Sequence, residues 1–540
     1  MIDGQLFGSM LRSAANNLAN HRNTLNELNV FPVPDGDTGT NMYLTISSAS
    51  ADIADDPSVG VVAERAAGAL LKGSRGNSGV ILSMLFAGIA KGLKGKTTMD
   101  GAQFVEALEQ GVKTAYKAVM RPKEGTILTV ARVTAEQGLE YCKTVQDEKT
   151  VLPQLCVYAR EILAKTPDML PVLKQQNVVD AGGMGFCFIL EGMREALNGN
   201  EIAAENADQG ETNAAANFSD MDGEDIKFAY CTEFIINRTD DKDSTKFRLF
   251  LETIGDSVVM ADDGTIIKTH VHTNNPGKVL EQAITYGSLI NIKIDNMKAQ
   301  HQQLSEKENK DTAAADVIAE PEKPYGIVAV SAGEGFSQLL AEFSVDQVVT
   351  GGQTMNPSTD DILRAVNAVP AETVFVFPNN KNIILAAEMT KELTSKNVVV
   401  LKTSTVPQCI AALMMFDPSA AVETNEMAMM DAAMNVTTLS VTPAIKDALI
   451  GEHRIREGDI LGLTESKITV VEKDLHKCAQ KLASTAIGKE TQFVTIYHGQ
   501  DVTEAEAEAL KDQLCAKFSH AEYTVVDGGQ PVYHYIIAVE

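Results

Sequence analysis

The sequence predicts three unlike domains in one chain: an all-α domain at the N-terminus, a small α+β domain in the middle and an α/β domain at the C-terminus. Three observations predict this. Apolar residues recur at helical spacing through residues 1–200, where β-branched alternation is scarce. Strand-like runs then dominate a stretch of about 75 residues flanked by two charged, alanine-rich segments. Beyond these, short apolar runs alternate with helix-like segments, the pattern of a buried parallel sheet. At 540 residues the chain is also too long for a single core.

Taken in order, Leu11, Ala15, Leu18, Leu25 and Leu28 fall near a helical period and predict one amphipathic helix over residues 1–28. Further helices are predicted over 60–72, 78–92, 101–118, 126–145, 150–164 and 184–198, which completes a domain over 1–200. Residues 201–225 are acidic, rich in Ala and Asn and devoid of Lys and Arg, and read as a linker or disordered loop. Within 226–302, KFAYCTEFII, KFRLFLETIG, DSVVMAD and TIIKTHVHT read as strands. The segment NPGKVLEQAITYG reads as a helix opened by proline and followed by glycine. A second charged stretch, 303–322, leads to the C-terminal domain over 323–540. There YGIVAVSAGEGF, VFVFPNN and VVVLKTSTVPQ read as parallel strands that end in small or polar residues. Such sheets place ligands beyond their carboxyl ends. No complete G-x-G-x-x-G stands there, and SAGEGF fits an ordinary βα turn.

The net charge of −27 repels phosphate backbones and argues against nucleic-acid binding and against a basic membrane-docking patch. The N-terminus carries an acidic residue early and lacks the continuous apolar core of a signal peptide. No run approaches about 18 uninterrupted apolar residues, so no membrane-spanning helix is expected. The 7 cysteines are scattered without paired spacing, which fits a reducing cytoplasm.

Four loops carry the chemistry. In VPDGDTGTNM, Asp35 and Asp37 flank Gly36 and are followed by Thr38, Gly39, Thr40 and Asn41. Hard divalent cations want such oxygen ligands, and Mg²⁺ takes one or two carboxylates with phosphates and waters. The same residues would also serve as an Asx turn capping the next helix. GSRGNSG (73–79), RPKEGTILTV (121–130) and DAGGMGF (180–186) each set a glycine-rich or charged loop before an apolar helix-like run. Helix N-termini with small residues receive anions, while glycines there also serve close helix packing. Four such loops predict a site assembled at one end of a helical bundle. GKTT at 95–98 is not a P-loop, because Ala90 stands where that motif needs glycine.

In this order the four motifs resemble the DhaL-type kinase domain of the dihydroxyacetone kinase family, and NVFPVPDGDTGTNM resembles the catalytic subunits of bacterial fatty acid kinase. The resemblance implies a DhaL-like helical barrel or bundle and, at the C-terminus, an α/β domain resembling the fatty-acid-carrier fold. It implies that Asp35 and Asp37 are catalytic and ligate Mg²⁺ bridging the phosphates of ATP. Small-ketose kinases carry a further Asp shortly before this pair; here Asn29 precedes Asp35 by six residues and offers a carbonyl oxygen without charge. Nucleotide binding is implied for Thr38, Thr40, Asn41, Gly76, Asn77, Ser78 and Thr126. Arg121 and Asp180 either line the nucleotide or act as an ion-pair or capping residue.

His270 and His272 stand two apart in a strand-like run and share one face. By themselves they fit solvent-facing histidines, with Cys231 a core cysteine. The resemblance implies a Zn²⁺ site, structural rather than catalytic, made by Cys231, His270 and His272.

The implied reaction phosphorylates the carboxylate of a fatty acid presented by a separate fatty-acid-binding carrier protein, giving acyl phosphate for phospholipid synthesis. The implied partner surface is the C-terminal domain, and the implied assembly is a homodimer through the middle domain. A carboxylic acid is already ionised at neutral pH and needs no base, and residues 1–200 hold a single histidine, His21, placed by periodicity on the polar side of the first helix. Two alternatives stand beside this: a kinase of a small polyol or ketose hydroxyl, and a nucleotide-sensing scaffold without turnover.

Overall fold

Side-chain caps written in the sequence open the first helices of the computed structural model, which describes residues 1–29, 36–52, 56–119, 122–204, 230–239, 242, 244–262, 266–296, 318–352, 356–444, 448–450 and 453–540. Asp3 accepts from the Leu6 N–H at 2.9 Å and starts α1 (Gly4–Asn20). The expected single helix over 1–28 breaks at His21, and α2 (Arg22–Leu28) follows. His21 does not lie on a polar face. Its ring stacks on Phe188 with centroids 4.0 Å apart, and Nδ1 lies 2.9 Å from the Asn17 carbonyl oxygen.

Next comes α3 (Thr38–Asp52), which periodicity does not predict. Thr and Ser side chains compete for backbone partners and weaken the helical signal. Here Thr45 Oγ1 donates back to the Asn41 carbonyl at 2.7 Å, while Met42, Ile46 and Ala49 are buried. The domain continues through α4 (Val59–Lys72), α5 (Gly76–Leu93), α6 (Gly101–Ala118), α7 (Ile127–Cys142), α8 (Glu148–Leu163), the short α9 (Thr166–Met169) and α10 (Pro171–Gln176), and α11 (Ala181–Leu197). Helix α5 is long and apolar enough to cross a membrane by composition, yet most of it is buried in the protein core. It crosses α6 through small residues: a Cβ on Gly88 would lie 2.5 Å from Gly111 Cα, and one on Gly92 2.8 Å from Ala107 Cα.

The chain divides into two units, Met1–Ala207 with Ile318–Glu540, and Asp208–Val317. The second unit holds β1 (Tyr230–Arg238), α12 (Ser244–Ile254), β2 (Gly255–Asp262), β3 (Ile266–Thr273), α13 (Pro276–Ile284) and β4 (Gly287–Asn296), with antiparallel sheet order β2-β3-β1-β4. The expected strand KFRLFLETIG is instead helix α12. Its apolar residues satisfy both periods, and the helical one prevails: Phe247 and Leu251 are buried against Phe234, Ile267 and Val279, whereas Leu249 is 57% exposed.

In the first unit the C-terminal residues build two sheets. Strand β5 (Lys323–Ser331), α14 (Glu334–Glu342), β6 (Gln347–Thr350), α15 (Thr359–Ala368), β7 (Ala371–Phe377), α16 (Ile384–Met389), β8 (Asn397–Val400), α17 (Val406–Met414) and α18 (Val422–Asn435) form a parallel sheet with helices, in strand order β6-β5-β7-β8. The second sheet contains β9 (Thr437–Pro443), β12 (Ile460–Thr464), β13 (Lys467–Glu472), β14 (Phe493–His498), β15 (Glu522–Asp527) and β16 (Tyr535–Val539), in the order β13-β12-β9-β16-β14-β15. Strands β10 (Ala448–Ile450) and β11 (His453–Ile455) pair separately, and α19 (Leu475–Ala486) and α20 (Glu504–Lys517) pack on the mixed sheet.

The sequence ends of the chain meet. One hydrophobic cluster runs from the N-terminal helices into Ile362 and Val366 of α15, Ile383, and Ala386 and Ala387 of α16, all fully buried.

Candidate active site

The first turns of four N-terminal helices converge. Asp37 stands at the start of α3, where its carbonyl accepts from the Asn41 N–H at 2.8 Å. From α2, Asn26 braces the turn: its Oδ1 accepts from the Thr40 N–H at 3.1 Å, and its Nδ2 donates to Thr40 Oγ1 at 3.0 Å. The Thr40 hydroxyl is thus already engaged. Thr38 and Asn41 are buried, as is Asn29 at the end of α2. Asp35 lies outside the described residues, and so does Arg121.

The second loop fits against the first. Gly76 opens α5 with φ +56°, and a Cβ there would lie 2.5 Å from Asn41 Nδ2. The Arg75 N–H donates to Thr45 Oγ1 at 3.2 Å. Asn77 donates through Nδ2 to Asn382 Oδ1 at 3.0 Å, and Ser78 follows in the same turn. The third loop is held by a knot of side chains: Glu124 accepts from Thr129 Oγ1 at 2.7 Å and from Arg132 Nη2 at 2.8 Å. Thr126 caps α7 positionally, while its hydroxyl donates to the Lys123 carbonyl at 2.8 Å.

Asp180, at the start of α11, joins the fourth loop to the third. Its Oδ2 accepts from the Gly183 N–H at 2.7 Å, and its carboxylate also takes the backbone N–H of Ile127. It is 5% exposed, and burial pushes its pKa up to about 7 against those two donors. The first turn of α11 touches that of α3, since a Cβ on Gly185 would lie 2.7 Å from Met42 Cε.

Four helix N-termini at one end, glycines at the surface and a half-buried Asp37 suit a polyanion with a hard cation. The oxygen donors at hand and the Gly76 cradle, which a Cβ would fill, fit Mg²⁺ with a nucleotide phosphate. The C-terminal domain adds to this end of the bundle. Asn356 Nδ2 donates to Asp37 Oδ2 at 2.6 Å, and Arg75 Nη1 donates to the Asn356 carbonyl at 2.8 Å. Sequence reading gives Arg75 and Asn356 no role. MNPSTDD signals a turn and a capped helix, but nothing local tells which residue it will face.

In the middle unit, β1 and β3 are neighbours, with Cys231 paired to His272 and Glu233 to His270. The buried positions Thr232, Phe234, Ile267, Thr269 and Val271 have the opposite parity. The side chains of Cys231, His270 and His272 lie outside the described ones, and among the described residues no group of three metal-ligating side chains is found.

A second cleft opens between the two sheets of the C-terminal domain, at the carboxyl end of β5 and β7. It is lined by Ser331, Asn379, Thr405 and Gln530 and has a cavity volume of about 110 Å³.

Family profiles match nearly the whole length: the DAK2 domain over residues 32–195, the FakA-like middle domain of fatty acid kinase over 227–304 and the FakA-like C-terminal domain over 326–540. Protein YloV of Bacillus subtilis is 39% identical over 552 residues, covering 100% of this chain and 99% of the relative. The chain belongs to the FakA-like family of fatty acid kinase proteins. An uncharacterized protein of Staphylococcus saprophyticus is 36% identical over 548 residues, covering 100% of this chain and 99% of its own length. A solved structure, the dihydroxyacetone kinase from C. freundii in complex with AMP-PNP and Mg²⁺, shares 15% identity at a TM-score of 0.31, over 44% of this chain and 56% of that one. That likeness is too loose to carry weight. As a FakA-like protein, the chain is a phosphotransferase of the fatty acid kinase system, with a helical DAK2 domain followed by the family's middle and C-terminal domains.

Proposed function

We propose that this protein transfers the γ-phosphoryl group of ATP to the carboxylate of a fatty acid held by a separate carrier protein. The observation that carries the reading is the convergence of the α3, α5, α7 and α11 N-termini around Asp37 and the Gly76 cradle. Asp37, with Asp35 and Asn29, would hold Mg²⁺, and Gly76, Asn77, Ser78, Thr38 and Asn41 would receive the phosphates. Arg121, Thr126 and Asp180 would sit toward the rest of the nucleotide. When bound, Mg²⁺ neutralises charge on the phosphates. The helix N-termini orient the chain of phosphates and add fixed partial positive charge. A carboxylate oxygen of the acid attacks the γ-phosphorus, the bond to the β-γ bridging oxygen breaks, and acyl phosphate and ADP result.

A carboxylate acceptor needs no base. Among the described residues of this site, Asp180 has a pKa raised into the range of a base, but it is buried and engaged by two backbone donors, which disfavours a hydroxyl acceptor. A separate carrier is supported by the cleft of the C-terminal domain: about 110 Å³ is room for roughly eight waters, not a long acyl chain. The C-terminal domain would dock that carrier, and the middle domain would hold Zn²⁺ through Cys231, His270 and His272 and join two copies of the chain.

The test is to incubate the protein with Mg-ATP and a fatty-acid-loaded carrier, trapping acyl phosphate with hydroxylamine. Hydroxamate should form with the wild type and fall to background with Asp37→Ala or without carrier. ATP consumption without hydroxamate would shift the acceptor to a small hydroxyl.

A further inference from the structure

The residue that holds Asp37 comes from the other end of the chain, 319 residues away. Its loop is fixed by its backbone. The Asn356 carbonyl accepts from Arg75 Nη1 at 2.8 Å, Ser358 forms a β-bridge with Arg75, and the Thr359 N–H donates to the Ser74 carbonyl at 3.0 Å. Ser358 then caps α15 with Asp361, whose carboxylate lies 3.6 Å from the Arg75 guanidinium. None of these contacts uses the Asn356 side chain.

That side chain is 2% exposed and reaches the Asp37 carboxylate. A carboxylate accepts and never donates, so the amide must present its NH₂ there, which fixes the orientation of the group. Oδ1 of Asn356 is then buried without a hydrogen-bond partner. A protein does not leave an amide oxygen in that state for packing alone, since burial of an unpaired acceptor is costly and an apolar side chain would fill the same space.

We propose that Asn356 is a positioning residue of the phosphate-transfer site, supplied by the C-terminal domain. Its NH₂ holds one oxygen of Asp37 and leaves the other for the cation. Its unpartnered oxygen accepts a hydrogen bond from the ligand shell, of the class of a metal-bound water, which Mg²⁺ characteristically keeps. Carboxylates that ligate metals are themselves held by hydrogen bonds, and those partners set metal affinity. The kinase site is therefore complete when the C-terminal domain is seated on the N-terminal helices. This inference rests on the reading of Asp37 as part of a Mg-nucleotide site.

Calorimetric titration of the full-length chain with ATP, with Mg²⁺ and separately with EDTA, tests it. Asn356→Leu keeps the shape and removes both polar atoms; it should weaken Mg-ATP binding about ten-fold and leave metal-free ATP binding unchanged. Thr359→Ala, which cuts a neighbouring contact between the domains away from Asp37, should leave both unchanged. Unchanged Mg-ATP affinity in Asn356→Leu would overturn the proposal. A parallel loss with and without Mg²⁺, shared by Thr359→Ala, would also overturn it, because it would mean mere loosening of the interface. Should Asn356→Leu fail to fold, Asn356→Ala repeats the test, and a failure of both makes the residue structural. Absence of Mg-ATP binding in the wild type would instead fell the kinase reading itself.

Discussion

Asp180 shows how one residue at the site couples folding to pH. Its folded pKa of about 7 lies above the ordinary 3.8 of an aspartate, so the buried carboxyl prefers to be neutral. Its contribution to stability is fully present below the unfolded pKa and is lost as pH rises through about 7. The shift of about three pH units corresponds to on the order of 4 kcal/mol. Asp180→Asn keeps the size and the acceptor for Gly183. In urea unfolding it should be more stable than wild type near about pH 8 and show a much smaller advantage near about pH 5. An equal difference at both pH values would refute the assignment. Gly76 is the second residue on which the site turns. Its φ of +56° and the 2.5 Å approach to Asn41 Nδ2 leave no place for a methyl group. Gly76→Ala should cost Mg-ATP affinity on the order of ten-fold, measured by titration.

At the scale of elements, packing sets what the site helices can tolerate. The α5–α6 crossing depends on Gly88, whose Cβ would meet the backbone of α6. Gly88→Val should destabilise by about 1–3 kcal/mol or more in urea unfolding. Gly68 on α4 meets nothing within 4 Å, so Gly68→Ala should stabilise by roughly 0.5–1 kcal/mol. The same denaturation curves distinguish the two, and a similar loss in both would contradict the crossing. In the middle unit the β1–β3 register pairs Cys231 with His272. If these positions hold zinc with His270, metal analysis of the purified protein should find stoichiometric zinc that Cys231→Ser removes.

At the scale of the whole molecule, the N-terminal helices and the C-terminal α/β domain share one hydrophobic cluster, whereas residues of the middle unit pack around their own. Calorimetry should therefore resolve two thermal transitions. Ile362→Ala empties a fully buried position in the shared cluster. It should cost about 2–5 kcal/mol and lower the transition of the larger unit alone. A shift of both transitions, or three separate transitions, would contradict a common core for the two ends of the chain.

Local sequence determined what is local. The periodicity of α4 to α8 and α11, the acidic break after residue 200, the parallel strands after 323 and the four glycine-rich loops follow from spacing and turn chemistry, which act over a few residues. The tertiary structure decided where local signals conflict or are weak. KFRLFLETIG satisfies two periods until Phe247 and Leu251 find a core. The Thr- and Ser-rich α3 becomes a helix once Met42 and Ile46 are buried, and the first helix breaks where His21 stacks on Phe188. The meeting of Asp37 with Asn356 was beyond any local signal. It depends on a core formed by residues hundreds of positions apart, and such contacts exist only after the chain has folded around them.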